Sequence, residues 1–178
     1  MKLKKICRIL ILVCVVLILV DQISKLLINN YLDGRVVLIK NVLSIVKVEN
    51  TGIAFGLNKQ NTANIILCLV IIGAIINYII NQKDKLNKTI VISLAMIIAG
   101  GISNVIDRIF KGAVFDFIKV GKWFPVFNLA DCFIVIGWFV FVITFIINSS
   151  KDIKITLVDE DDSKGGKKSN KNSRNSDR

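Results

Sequence analysis

The sequence predicts an α-helical membrane protein with four transmembrane helices and a small β-sheet outside the membrane between helices 1 and 2. Hydrophobic residues make up 53% of the 178, mean hydropathy is +0.63, and there is one proline. The apolar runs are far longer than a soluble core of this size needs. At about 20 residues per crossing, they allow four spans with some material left outside. The net charge of +11 does not point to nucleic acid, because the basic residues flank the apolar runs and form no stripe interleaved with aromatics. Flanking charge of this kind sets membrane topology.

The elements follow in order. Lys2, Lys4, Lys5 and Arg8 precede an apolar run over residues 9–20. No small-residue cleavage site follows, and the pattern continues through Ile23, Leu26, Leu27 and Ile28, so a retained first helix is expected over about 5–29. Leu12-Val13-Cys14 lacks the small residue expected before a lipidated cysteine. Asp33-Gly34-Arg35 is a turn signal. Residues 36–48 are rich in Val and Ile, interrupted by Lys40-Asn41 and Lys47, which favours short strands. A surface sheet is expected over about 35–58, with a glycine-rich turn at Asn50-Thr51-Gly52 and Ala54-Phe55-Gly56.

A second helix is expected over about 62–80 and, after a basic loop with Lys83, Lys85 and Lys88, a third over about 89–110. A connection containing Asp116 and Pro125 leads to a fourth over about 127–147. Residues 1–148 thus form the membrane domain, and the charged residues 149–178 read as a disordered tail. Density of basic residues around the N-terminus and the 83–88 loop favours both termini inside the cell. The sheet and the polar helix ends then lie on the extracytoplasmic side.

Acids are scarce in the body of the chain. Of thirteen Asp and Glu, six fall in residues 149–178, leaving seven. A carboxylate at a bilayer marks a functional site by default. With termini inside, Asp21 and Lys25 of helix 1, Asn104, Asp107 and Arg108 of helix 3, Asn128 and Asp131 of helix 4, and Asp116 all reach one level. Asp21 and Lys25 are spaced i, i+4 and can pair, and Asp107–Arg108 is a second candidate ion pair. Gly100 and Gly101 would let a neighbouring helix approach closely. Asp131 has no basic residue at i±3 or i±4 and Asp116 has only Lys119, at i+3 in a stretch not expected to be helical, which leaves a structural ion pair a poor account of them.

The chain has no histidine, which removes the Ser-His-Asp triad, the Cys-His pair and most catalytic zinc sites. The four cysteines, Cys7, Cys14, Cys68 and Cys132, show no Cys-x-x-Cys spacing and read as buried small hydrophobes. No metal or cofactor is expected. Two carboxylates held close share a proton. The ionised one can activate water while the protonated one donates to a scissile carbonyl.

Five phrases carry a resemblance: Asp21-Gln22-x-Ser24-Lys25, Asn50-Thr51-Gly52-x-Ala54-Phe55, Gly100-Gly101-x-x-Asn104-x-x-Asp107-Arg108, Val114-x-Asp116-Phe117, and Phe127-Asn128-x-Ala130-Asp131. Over roughly residues 5–148 the chain closely resembles signal peptidase II, the bacterial lipoprotein signal peptidase family. The resemblance implies an aspartyl endopeptidase of the bacterial cytoplasmic membrane. It would cut diacylglyceryl-modified prolipoproteins just before the lipidated cysteine, with Asp116 and Asp131 catalytic. It makes Asp21, Lys25, Asn50, Gly101, Asn104, Asp107, Arg108, Asn128 and Ala130 supporting or substrate-binding residues. It also implies that the sheet is a β-cradle, that Asn50–Phe55 belongs to a lid, and that globomycin inhibits. Membrane lipid is an expected partner.

Two other readings compete. A proton or cation pathway through Asp21, Asp116 and Asp131 would spread ionisable residues over several depths, whereas these gather at one. A purely structural subunit would need these acids for stability alone.

Overall fold

The structure is a computed structural model that describes the backbone of residues 3–51 and 59–172 and the side chains of residues 3–51 and 62–150. Its elements are α1 (Leu3–Tyr31), β1 (Val36–Ile39), β2 (Leu43–Asn50), α2 (Lys59–Asn81), α3 (Lys88–Lys111), β3 (Val114–Val120) and α4 (Leu129–Asn172). The chain divides into two compact units, Met1–Phe141 and Val142–Arg178; the site lies in the first.

Among the described residues, four helical stretches are long and apolar enough to cross a membrane: Leu3–Tyr31, Thr62–Asn81, Lys88–Lys111 and Leu129–Ser150. Their burial separates them. The most apolar window of α3 is 67% buried, against 17% for α1 and 11% for each of the others, so α3 is the centre on which α1 and α2 pack. Ile90, Val91, Leu94, Ala95, Ile98 and Ala99 of α3 form the core with Ile6 and Cys14 of α1 and Ile79 of α2. Large apolar side chains such as Ile11, Leu12, Leu67 and Val70 point outward, the pattern of helices solvated by lipid tails.

Both ends of α3 are set locally. The Asn87 side chain accepts a hydrogen bond from the Ile90 amide at 2.8 Å, capping the first turn. Gly112 takes a left-handed conformation, φ 75°, at the other end and turns the chain into β3. Gly100 of α3 and Gly137 of α4 are points of contact between these two helices. A Cβ added at Gly100 would run into the Ala130 carbonyl oxygen and lie 2.7 Å from Ile134 Cγ1, and one at Gly137 would lie 2.7 Å from the Ser93 carbonyl oxygen.

The sheet is antiparallel in the order β1-β2-β3, with Val48 opposite Asp116 and Asn50 opposite Val114. Here the structure corrects the sequence reading. The sheet draws a third strand from beyond α3, and Asp116 sits on that strand, not in a loop. The first four residues of β3 are all buried, so the strand shows none of the in-out alternation that marks a half-buried one. Residues 52–58, expected at the end of the sheet and in the lid, lie outside the described residues.

Two further differences concern α4 and Cys7. The fourth helix begins at Leu129, because Phe127 is bound to β3: its amide donates to the Ile118 carbonyl at 3.0 Å, and its carbonyl accepts from Ile118 at 2.8 Å. At its other end α4 is helical to Asn172, where the sequence suggested disorder from 149. Extending an existing helix needs no new nucleus. All four cysteines are free, and Cys7 is exposed instead of buried.

Candidate active site

Asp116 and Asp131 are brought together by one residue, Asn128. Pairing of Phe127 with Ile118 places Asn128 beside β3, and its side-chain Nδ2 donates to Asp116 Oδ1 at 2.6 Å. Asn128 is also the cap of α4. Its Oδ1 accepts from the Asp131 amide at 3.0 Å, while Asp131 Oδ2 accepts from the Asn128 amide at 3.2 Å. This reciprocal pair is a capping box built from Asn and Asp, and it fixes Asp131 in the first turn, at the positive end of the helix.

The remaining carboxylate oxygens are held from two other elements. Asn50, the last residue of β2, donates to Asp116 Oδ2 at 2.9 Å. Asn104 of α3 donates to Asp131 Oδ1 at 2.8 Å and accepts from Asn128 Nδ2 at 3.2 Å. Asp116 is 2% exposed. Burial pushes its carboxyl above the usual range; the Asn50 amide opposes this, and the negative charge of Asp131 adds to it.

Behind this layer lies a buried ionic cluster. The Lys25 ammonium, 1% exposed, lies 2.6 Å from Asp21 Oδ2, 2.6 Å from Asp107 Oδ2 and 3.3 Å from Asn104 Oδ1. It therefore balances two buried acids and also fixes the amide orientation of Asn104, which then presents its Nδ2 to Asp131. Asp21 does a second thing: its Oδ1 accepts the Ala130 amide at 2.9 Å, anchoring the start of α4 to α1. Ala130 contributes this backbone donor.

Sequence-predicted residues divide accordingly. Asp21, Lys25, Asn50, Asn104, Asp107, Asn128 and Ala130 all join the network that carries Asp116 and Asp131. The suggested Asp107–Arg108 pair does not form, because adjacent helical residues face different ways. Asp107 binds Lys25 and Lys111, while Arg108 Nη1 donates to the Asn104 carbonyl at 3.2 Å. Gly101 faces α2, where an added Cβ would lie 2.9 Å from Cys68 Sγ; its part is helix packing.

Three participants escaped the sequence reading. Gln22 Nε2 donates to Asp107 Oδ1 at 3.2 Å and to Ser103 Oγ at 3.0 Å, and Ser103 Oγ donates to Asp21 Oδ2 at 2.7 Å. Lys111 Nζ, on a half-exposed side chain, reaches Asp107 Oδ1 at 2.8 Å. The i, i+4 spacing of Asp107 and Lys111 was the available signal for the last. Among the described residues, no group of His, Cys, Asp and Glu could hold a metal ion.

A bundle of apolar spans with two aspartates joined at the seam of a helix start and a surface sheet defines a membrane-embedded protein with a carboxylate-centred site. The family model described as signal peptidase (SPase) II matches residues 13–147. A lipoprotein signal peptidase of Shouchella clausii is 34% identical over 147 residues, covering 81% of this chain and 97% of that protein. One of Chlorobium phaeobacteroides is 38% identical over 148 residues, covering 74% and 92%. Two solved structures of a bacterial membrane enzyme, determined by the in meso method, align with a TM-score of 0.69 each. They are 30% and 31% identical and cover 80% and 76% of this chain and 90% and 91% of those chains. The chain belongs to the signal peptidase II family and is a membrane peptidase.

Proposed function

We propose that the chain cleaves the signal peptide from diacylglyceryl-modified prolipoproteins, just before the lipidated cysteine, using a water activated between Asp116 and Asp131. The observation that carries this reading is that Asn128 donates to both carboxylates, from its side chain to Asp116 and from its backbone amide to Asp131. Asp131 takes a proton from water as the water oxygen bonds to the scissile carbonyl carbon, and Asp116 gives its proton to the carbonyl oxygen. Collapse of the tetrahedral intermediate returns that proton to Asp116. The C–N bond breaks, and the new α-amine of cysteine takes the proton held by Asp131.

An apolar cleft of about 440 Å³ supports the substrate class. It opens beside Asp131 between Val120, Phe124, Phe127, Val135 and Ile136, and its walls suit an acyl chain or an apolar signal segment. A lipid anchor holds the cut site at the membrane edge, which makes attack nearly intramolecular.

The protein belongs in this reading to the bacterial cytoplasmic membrane, with cytoplasmic termini, the site toward the extracytoplasmic face, and globomycin as an inhibitor. The test is a gel-shift cleavage assay with diacylglyceryl-modified and unmodified prolipoprotein, with and without globomycin. Asp116→Asn and Asp131→Asn each abolish cleavage while the protein stays folded in the membrane. Cleavage retained by either variant overturns the dyad.

A further inference from the structure

The sheet carries a second, cationic site on its far side from the dyad. A cavity of about 130 Å³ is lined by Arg35, Lys119 and Lys122 together with Asn41 and Ser44. Its construction follows from register: Lys119 lies directly opposite Ser44, and Ser44 opposite Val37, two residues after Arg35. Two left-handed residues, Asn41 at φ 62° and Gly121 at φ 58°, turn the chain at this end of the sheet. The Gly121 amide donates to the Val42 carbonyl at 2.8 Å, which joins the two turns. Lys119 is three residues from Asp116 along β3; the register shift between them adds its extra residue to β2, so alternation along β3 puts the two on opposite faces.

Charge and surface chemistry at this end point the same way. Residues 34–48 and 117–128 hold Arg35, Lys40, Lys47, Lys119 and Lys122 and contain no Asp or Glu. The cavity is bordered by apolar side chains that water solvates poorly. Val36, Val37, Leu38 and Ile39 of β1 are all exposed, as are Val42 and Phe124, and Trp123 is 96% exposed. Aromatic and aliphatic groups beside cations, next to transmembrane helices, match the interfacial layer of a bilayer. Of these residues only Phe124, which also lines the apolar cleft beside Asp131, enters the proposed peptidase chemistry; Arg35, Lys119 and Lys122 do not.

We propose that Arg35, Lys119 and Lys122 form a binding site for the phosphate of an anionic phospholipid headgroup, with Trp123 and β1 seated in the adjoining interface. The guanidinium and the two ammonium groups supply charge-assisted donors to the phosphate oxygens. The Ser44 hydroxyl and the Asn41 side-chain amide offer neutral ones. The site holds the sheet against the membrane, independently of whether substrate is present.

The test uses the full chain purified in detergent, with Trp138→Phe so that Trp123 is the sole tryptophan. Its emission is followed during titration with dihexanoyl phosphatidylglycerol and, separately, with inorganic phosphate. Phosphatidylglycerol gives a saturable change, and Lys119→Gln/Lys122→Gln weakens its binding about tenfold or more. Lys40→Gln/Lys47→Gln, which removes the same charge from the same sheet outside the cavity, changes binding by less than about twofold. If the first pair loses helical content, Lys122→Gln alone serves, with a loss of about threefold. Equal losses in the two pairs would show diffuse surface charge and overturn the site. Inorganic phosphate saturating as tightly as phosphatidylglycerol overturns the lipid assignment, and no saturation by either overturns both.

Discussion

Asn128 donates to Asp116 across 2.6 Å, and the same side chain caps the helix that carries Asp131. Alignment of the dyad and the start of α4 therefore depend on one amide. Asn128→Ala removes the bridge and the cap together. We expect the cleavage rate to fall by about 100-fold or more, since a misplacement on the order of 1 Å costs that much. Loss of the cap removes about 1 kcal/mol of stability. Asn128→Ser, which can still cap, recovers stability without activity. Cleavage kinetics paired with thermal unfolding separates the two effects; Asn128→Ser with near-normal cleavage would show that the bridge to Asp116 is dispensable.

Lys25 is the sole cation within reach of Asp21 and one of two that hold Asp107, among the described residues. Lys25→Met leaves a buried carboxylate without a counter-charge, and removing one partner of a buried pair costs about 3–5 kcal/mol. Lys111→Met costs far less, because Lys111 is 50% exposed and solvent screens its interaction. A double change, Lys25→Met with Asp21→Asn, should restore part of the stability lost by Lys25→Met alone. Denaturant unfolding in detergent measures all three. Equal losses for the two lysines would contradict the network.

The helices and the polar layer were legible in the sequence because lipid imposes long apolar runs and makes every interruption costly. Asp21 and Lys25 announced their pairing by an i, i+4 spacing. The strand carrying Asp116 was not legible: Val114–Val120 is buried at its start and pairs with β2 across more than sixty intervening residues, a non-local relation that no local period encodes. The bond from Ala130 to Asp21 escaped for the same reason, being a contact between helix 1 and the start of helix 4. Asp107 and Arg108 misled because sequence adjacency suggests contact, whereas about 100° of helix rotation separates neighbours.

The glycines of the bundle predict opposite responses to the same change. A Cβ at Gly100 meets the Ala130 carbonyl and Ile134, whereas one at Gly73 of α2 meets nothing within 4 Å. Gly100→Ala pushes α4 away at the residue before Asp131, destabilising by about 1–3 kcal/mol and lowering cleavage. Gly73→Ala gains roughly 0.5–1 kcal/mol from lower unfolded-state entropy and leaves cleavage unchanged. Thermal unfolding of both variants in one detergent decides this, and a stabilised Gly100→Ala would mean that the helices do not approach as closely as the structure shows.

The pH dependence of cleavage follows from the surroundings of Asp116. Burial raises its carboxyl above the usual value, the Asn50 amide pulls it down, and the Asp131 charge raises it. In the proposed mechanism Asp116 must hold a proton while Asp131 is ionised, so the rate is bell-shaped in pH, and its two limbs belong to the dyad as a unit. The alkaline limb marks loss of the shared proton. Asn50→Ala removes a donor that favours the charged form of Asp116, so that limb moves to higher pH, even where the maximal rate falls. Stability changes in the matching sense: a carboxyl raised by folding costs stability as pH rises from its unfolded value through its folded one, and Asn50→Ala extends that window upward. Cleavage rates measured at saturating substrate across the acidic and neutral range test the sign. A limb that stays fixed or moves down in Asn50→Ala would place the shared proton elsewhere than on Asp116.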